Sequence, residues 1–204
     1  MKWQLNKIQY PVYNLGPGKR LGIWVQGCSI CCPGCINKST WPENNGKSLD
    51  MLSVTQMASE ICRDYDGITI TGGEPFDQYP QLMVFASMIK RRTALNLLCY
   101  TGYYLPELEQ MFPDKSFMNC LDYIIDGRYE QNLPSNSSLK GSGNQSVYQI
   151  AEHKARKVDM ADPDKKWSLN IERDVVYMAG IPAKGEIETM VTNLSSVKPG
   201  FRIV

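Results

Sequence analysis

The sequence is nearly without histidine: of 204 residues only His153 is one, and it lies in a charged stretch, Glu152-His153-Lys154. One histidine so placed gives poor support to a serine–histidine or cysteine–histidine hydrolase, and a solvated surface position is the expected reading. An excess of charge is also missing. Lys and Arg number 22 against 21 Asp and Glu, for a formal net charge of +1. That leaves no electrostatic footprint for nucleic acid or an anionic membrane surface. The one basic run, Lys90-Arg91-Arg92, is short and suits a helix end beside the dipole's negative pole. No apolar run reaches the length of a transmembrane helix. The first residues, Met1-Lys2-Trp3-Gln4-Leu5-Asn6-Lys7, lack the apolar core and cleavage site of a secretory leader. There is no internal repeat and no low-complexity tract. A cytoplasmic protein with neither a nucleic-acid nor a membrane partner is expected.

What the chain does have is cysteine, unevenly spread. There are seven, and four fall within Cys28-Ser29-Ile30-Cys31-Cys32-Pro33-Gly34-Cys35. A secreted disulfide framework would scatter them, whereas a reducing compartment leaves thiolates free for metal. The hydrophobic share of 43% and charged share of 21% are those of an ordinary globular domain.

Strand-like and helix-like runs alternate. Leu21–Gly27 reads as a buried strand, and Ser53–Asp64 as a helix capped by Ser53. A strand at Gly67–Thr71, a helix at Tyr79–Arg92, a strand at Leu95–Tyr100, a short helix at Leu105–Met111 and a strand at Leu121–Ile125 follow. Alternation of this kind predicts an α/β fold with mostly parallel strands, and chemistry at their carboxyl ends. The Cys cluster, Gly72-Gly73-Glu74-Pro75, Thr101-Gly102 and Asp126-Gly127-Arg128 all fall just past predicted strands. Glu130–Gln145 is a long polar loop. Lys166–Glu172 and Asp174–Ala179 form a predicted hairpin. Residues 1–150 are expected to be the core domain, and 151–204 an extension packed on it or prolonging it.

Cys28-x3-Cys32-x2-Cys35 offers three thiolates in a compact loop, the usual ligands of an iron–sulfur cluster. Three ligands on a [4Fe–4S] cube leave one iron open, which suits catalysis better than electron storage. A four-thiolate zinc site from Cys28, Cys31, Cys32 and Cys35 is a rival reading, made awkward by adjacent ligands. A redox Cys-x-x-Cys at Cys32–Cys35 is another. Cys62, Cys99 and Cys120 sit in or beside apolar runs and read as structural thiols.

The segment from Gly27-Cys28 through Cys35, followed by Asn37-Lys38-Ser39-Thr40-Trp41, resembles the radical S-adenosylmethionine superfamily. Within it, the segment is most similar to the activating-protein branch of the anaerobic, class III ribonucleoside-triphosphate reductases. Gly72-Gly73-Glu74-Pro75, Asp126-Gly127-Arg128-Tyr129-Glu130 and Gly141-Ser142-Gly143-Asn144-Gln145 carry the likeness onward. Cys31 and Ile36 depart from the branch's pattern.

The resemblance implies an incomplete (β/α) barrel, open at one side, with a C-terminal hairpin. It implies a [4Fe–4S] cluster on Cys28, Cys32 and Cys35. S-adenosylmethionine would be cleaved reductively to a 5′-deoxyadenosyl radical, which installs a glycyl radical on a partner reductase. Flavodoxin or ferredoxin would supply the electron. The resemblance also implies that Glu74 and the Gly72–Gly73 backbone, with Pro75 closing the turn, hold the methionine amino group. Arg128, beside Asp126, would meet its carboxylate or else form a surface ion pair. Thr101 and Asn144 are weaker candidates for the nucleoside. A related radical enzyme acting on a small molecule or peptide, and a non-catalytic iron–sulfur or zinc module, stand as alternatives.

Overall fold

A computed structural model of the chain describes residues 1–162, 167–172 and 175–180, and beyond these positions 182, 185, 186, 189, 192, 193, 202 and 203. The elements run β1 (Lys2–Val12), β2 (Arg20–Val25), β3 (Lys47–Asp50), α1 (Met51–Ile61), β4 (Gly67–Gly72), α2 (Tyr79–Arg92), β5 (Asn96–Tyr100) and α3 (Leu105–Met111). They continue with β6 (Tyr123–Asp126), β7 (Ser146–Ala151), β8 (Lys154–Val158), β9 (Trp167–Glu172), β10 (Val175–Gly180) and β11 (Arg202–Ile203).

An eight-stranded sheet carries the order β3-β1-β2-β4-β5-β6-β7-β8. Its centre is parallel: β2, β4, β5 and β6 pair in that sense. The flanks are antiparallel, with β1 on β2, β3 on β1, β7 on β6 and β8 on β7. The α/β class and the parallel centre agree with the sequence pattern. The strand order is linear, so the sheet is open, with edges at β3 and β8. Antiparallel strands, which need no crossover helix, occupy both flanks and end the βα alternation. Residue 150 lies inside β7, so the sheet runs on to Val158.

Local chemistry accounts for the elements. β2 is buried along its whole length, as expected of a strand covered on both faces. In α1, Met51, Val54, Thr55 and Ala58 face the core at helical spacing. Its N-cap is Asp50 rather than Ser53: the carboxylate accepts the Ser53 N–H at 3.2 Å. α2 buries Leu82, Phe85, Ala86 and Ile89 and ends in the basic triplet, whose Lys90 pairs with Asp122 at 2.7 Å. β7 and β8 join through Glu152 and His153, both at positive φ (51° and 60°), as a two-residue hairpin demands. The only histidine is therefore an exposed turn residue.

The main core packs Trp3, Leu21, Ile23, Ile68, Ile70, Phe85, Leu97, Phe117 and Ile124. Cys62 and Cys99 are buried and Cys120 half-buried, all as free thiols. Arg20 is also fully enclosed. It donates to Thr69 Oγ1 (2.6 Å), Asn96 Oδ1 (2.7 Å) and the Ile68 carbonyl (2.8 Å), riveting β2, β4 and β5 at their amino ends. Past the sheet, β9, β10 and β11 make a separate three-stranded sheet. β9 and β10 pair from Glu172–Val175 to Trp167–Gly180, which is the predicted hairpin. Its expected ends Lys166 and Asp174, and Ile181 just beyond, lie outside the described residues.

Candidate functional site

The four parallel strands present their carboxyl ends at one edge of the sheet, and the segments singled out by sequence meet there. The cysteine loop leaves β2 through Gly27, whose N–H donates to the Thr40 carbonyl at 2.7 Å. The Cys28 N–H donates to the Trp41 carbonyl at 3.2 Å. The turn after β4 is laced to the same strand: the Gly73 N–H donates to Val25 O and the Glu74 N–H to Gly27 O, each at 2.9 Å. This approach is why position 73 must be glycine, because a Cβ there would stand 2.0 Å from the Gly27 oxygen. Gly72 takes φ +103° to make the turn.

Within the loop, Cys28, Cys32 and Cys35 are half-buried and Cys31 is exposed. A turn closes Cys32 to Cys35 through the Cys35 N–H and the Cys32 carbonyl at 3.1 Å, and the Asn37 N–H donates to Cys35 Sγ at 3.3 Å. Burial pushes the Cys28 thiol up to about 11, opposed by the N–H groups of Cys31 and Ile30. Burial also raises Cys32, opposed by the Tyr129 N–H and the charge of Arg128. The amides and the Arg128 charge partly offset a burial that holds both thiols above their usual value. Cys31 points its Sγ at the Cys28 carbonyl, 3.1 Å away. Among the described residues no group of three or more His, Cys, Asp or Glu side chains is gathered tightly enough to hold a metal ion. The donor set nonetheless fits an iron–sulfur cluster: three soft thiols on one short loop, N–H groups aimed at each sulfur, and no competing histidine or disulfide.

Glu74 is 1% exposed, and its carboxylate is engaged within the protein. Oε1 accepts the Phe76 N–H and the Thr101 hydroxyl, both at 2.9 Å, and Oε2 accepts the Gly102 N–H at 2.8 Å. Burial raises its pKa to about 7 against these three donors. Glu74 and Thr101 thus tie the end of β4 to the end of β5. Thr101 also accepts the Tyr103 N–H at 3.1 Å. Pro75 opens a single 3-10 turn, Pro75–Gln78, that leads into α2.

Asp126 is buried too and serves two backbones. Its Oδ2 accepts the Leu105 N–H at 2.8 Å and its Oδ1 the Ser146 N–H at 3.2 Å, while burial raises its pKa. Arg128 makes a forked pair with Glu107, at 2.8 and 3.0 Å, and lies over the rings of Tyr103 and Tyr104. Asn144 donates from Nδ2 to the Arg128 carbonyl (2.8 Å) and the Tyr104 hydroxyl (3.2 Å). Its Oδ1 is buried without a hydrogen-bond partner. Gln145 donates to the Gly127 carbonyl at 2.8 Å, so the long polar loop returns to close on its own start.

Two acidic residues that sequence did not single out hold the site from behind. Asp77 accepts the Ser29 N–H (2.7 Å) and the Ser29 hydroxyl (2.8 Å), anchoring the cysteine loop to the turn before α2. Glu107 holds Arg128. A cavity of about 190 Å³ opens beside Cys35, Ile36 and Asn37. Thr71 and Tyr100 contribute from the strand ends, and Met178, Gly180 and Pro182 face them from the C-terminal extension.

Residues 14–148 match the family described as 4Fe-4S single cluster domain. The anaerobic ribonucleoside-triphosphate reductase-activating protein of Enterobacteria phage T4 is 37% identical over 139 residues, 65% of this chain and 85% of the phage protein. The protein of the same name from Pasteurella multocida is 30% identical over 164 residues, 73% of this chain and all of that protein. That of Escherichia coli K12 is 30% identical over 149 residues, 69% of this chain and 96% of that protein. Among solved structures, QueE from Escherichia coli aligns with a TM-score of 0.40 and 16% identity over 50% of this chain and 53% of that one, too loose a likeness to bear on the site. With the cluster-domain match covering the cysteine loop and every strand-end motif, and the relatives matched over most or all of their length, the chain belongs to the family of anaerobic ribonucleoside-triphosphate reductase-activating proteins.

Proposed function

We propose that this chain holds one [4Fe–4S] cluster on Cys28, Cys32 and Cys35 and acts as a radical S-adenosylmethionine enzyme that installs a glycyl radical on an anaerobic ribonucleoside-triphosphate reductase. The observation that carries the reading is the cysteine loop itself. It is laced to the Gly72-Gly73-Glu74-Pro75 turn at the carboxyl ends of the parallel strands, inside a stretch that matches a cluster-binding family. When bound and reduced, the cluster supplies one electron to the sulfonium of S-adenosylmethionine, giving methionine and a 5′-deoxyadenosyl radical that takes hydrogen from a glycine Cα of the partner.

The residues of this chain bind and orient. The backbone of Gly72 and Gly73, free of side chains, accepts the methionine ammonium. Glu74 acts by position, since its oxygens already hold Phe76, Thr101 and Gly102. Arg128, whose charge is felt at Cys32, meets the methionine carboxylate by exchanging it for the Glu107 carboxylate, while Asp126 fixes the strand end before it. The buried Asn144 Oδ1, which lacks a donor, suits a nucleoside hydroxyl or amine. The electron comes from a flavodoxin or ferredoxin, and the chain works in the reducing cytoplasm.

The test is anaerobic reconstitution of the full chain with iron and sulfide, then addition of S-adenosylmethionine, dithionite and the large reductase. Iron–sulfur absorbance, 5′-deoxyadenosine and a glycyl-radical electron paramagnetic resonance signal on the reductase are expected. Cys32→Ala should abolish all three. Cleavage at full rate by Cys32→Ala refutes the ligand assignment, and cleavage without a radical on the reductase refutes the partner.

A further inference from the structure

Tyr103 belongs to none of the motifs singled out by sequence, although it follows Thr101-Gly102 directly. In the structure it is half-buried and bonded to the exits of the other three parallel strands. Its N–H donates to Thr101 Oγ1 at 3.1 Å, and Thr101 in turn holds Glu74 after β4. Its carbonyl accepts the N–H of Gly127, just past β6, at 3.2 Å. Its hydroxyl lies 3.0 Å from Ser29 Oγ in the cysteine loop and 3.2 Å from Asp77 Oδ1. Those three oxygens share two hydroxyl protons, since the Ser29 hydroxyl also reaches Asp77, at 2.8 Å. The face of the Tyr103 ring carries the Arg128 guanidinium, 5.9 Å from the ring centre.

One side chain thus joins the loop of the cluster ligands to the cation assigned to the methionine carboxylate. The two ends work by different chemistry: the hydroxyl bonds the loop, and the ring face attracts the guanidinium. The forked pair of Arg128 with Glu107 is 39% exposed on both sides, so it restrains the guanidinium only weakly. When Arg128 exchanges Glu107 for a ligand carboxylate, that restraint is gone, while the rings of Tyr103 and Tyr104 still cover the cation. Tyr104 is tied through its hydroxyl to Asn144 at 3.2 Å. Tyr103 is tied to the cysteine loop, and its ring therefore keeps the cation in register with that loop.

We propose that Tyr103 is a positioning residue with two separable roles: its hydroxyl holds the cysteine loop, and its ring holds Arg128 where the carboxylate of the methionine moiety is received beside the cluster. The second role rests on the cofactor reading above, through Arg128; the first rests on the hydrogen bonds to Ser29 and Asp77 alone.

The experiment uses the full chain, reconstituted anaerobically with its cluster, and takes two readouts. One is the rate at which an iron chelator bleaches the cluster, and the other is the affinity for S-adenosylhomocysteine by equilibrium dialysis. Tyr103→Phe drops the hydroxyl and keeps the ring; Tyr103→Leu drops both. Cluster loss should quicken about two- to fivefold in both variants, as expected for exposed hydrogen bonds. Affinity should be unchanged in Tyr103→Phe and about two- to fivefold weaker in Tyr103→Leu, the scale of an exposed cation–ring contact. A residue needed only for packing would move both readouts together, so the split shown by the phenylalanine variant is the signature of two roles. Cluster loss at the unmodified rate in Tyr103→Phe, or equal affinities in the two variants, overturns the assignment. Absence of binding by the unmodified, cluster-loaded protein overturns the cofactor reading and the ring's role with it, while cluster loss still decides the role of the hydroxyl. If Tyr103→Leu does not fold, Tyr103→Phe decides alone: quickened cluster loss at unchanged affinity is required, and weakened affinity overturns the assignment.

Discussion

Asp77 touches no cysteine, yet the structure makes it the tether of the cysteine loop, and Asp77→Ala tests that directly. The substitution removes two short bonds to Ser29, at 2.7 and 2.8 Å, and a longer one from the Tyr103 hydroxyl at 3.2 Å. Hydrogen bonds to a charged group contribute about 1.5–3 kcal/mol when sheltered. This carboxylate is exposed, and exposed pairs seldom pass ~1 kcal/mol. The two bonds to Ser29 together are therefore worth roughly 1–2 kcal/mol of loop order. That corresponds to about a 5- to 30-fold change in the fraction of chains with the loop in place. The assay is the bleaching of iron–sulfur absorbance when anaerobically reconstituted protein meets an iron chelator. Cluster loss should quicken by about the same 5- to 30-fold factor, while the thermal midpoint barely moves, because the lost bonds lie on the surface. Ser29→Gly keeps the backbone N–H bond and loses only the hydroxyl bond, so it should show a smaller effect in the same direction, and the double variant should be no worse than Asp77→Ala alone. Cluster loss at the unmodified rate in Asp77→Ala, or strictly additive effects in the double variant, would refute the tether.

Glu74 makes stability depend on pH. Its pKa rises from 4.5 to about 7 on folding, through burial, so between these values the folded chain binds more protons than the unfolded one. The contribution is complete below pH 4.5 and is lost as pH rises to about 7, a span of roughly 3 kcal/mol. Urea midpoints measured across that range should fall with pH, and Glu74→Gln should remove this part of the slope; an identical slope in the variant counts against it. Arg20→Met leaves the oxygens of Thr69, Asn96 and Ile68 without their buried donor, which costs roughly 3 kcal/mol or more. A midpoint shift below about 1 kcal/mol in the same titration would show that Arg20 is not the rivet at the amino ends of the strands.

Much of the site-bearing fold is legible in sequence because its signals are local. α2 and α3 begin and end where apolar spacing and an early proline place them, and β9 and β10 pair as the two alternating runs predict. What escapes is set by distant partners. β8 is Lys154-Ala155-Arg156-Lys157-Val158, a charged edge strand that reads as loop until β7 is beside it. Its lysines and arginine guard an open edge, as such residues do. Asp77 and Glu107 carry no motif, and their partners lie 48 and 21 residues away along the chain. Glu74 was legible as a site residue but not in its role. A sequence shows that a carboxylate stands after two glycines; only packing shows that Thr101 and Gly102 already fill it.

The order of the strands says what the site requires. Each motif hangs on one of four strands: the cysteines on β2, Gly72-Gly73-Glu74-Pro75 on β4, Thr101-Gly102 on β5 and Asp126-Gly127-Arg128 on β6. These four are the parallel set. Parallel pairing brings all four exits to one edge of the sheet, within reach of side-chain bonds such as Glu74 to Thr101 and Asn144 to the Arg128 carbonyl. A fifth parallel strand would add no motif. The chain instead spends β7 on carrying the loop of Asn144 and Gln145 back onto the end of β6. β1, on the other flank, extends into the loop of Asn14 and Leu15, to which the C-terminal hairpin is pinned. The antiparallel flanks therefore serve the site as well as the sheet: one returns the loop that completes it, and the other holds the C-terminal hairpin beside it.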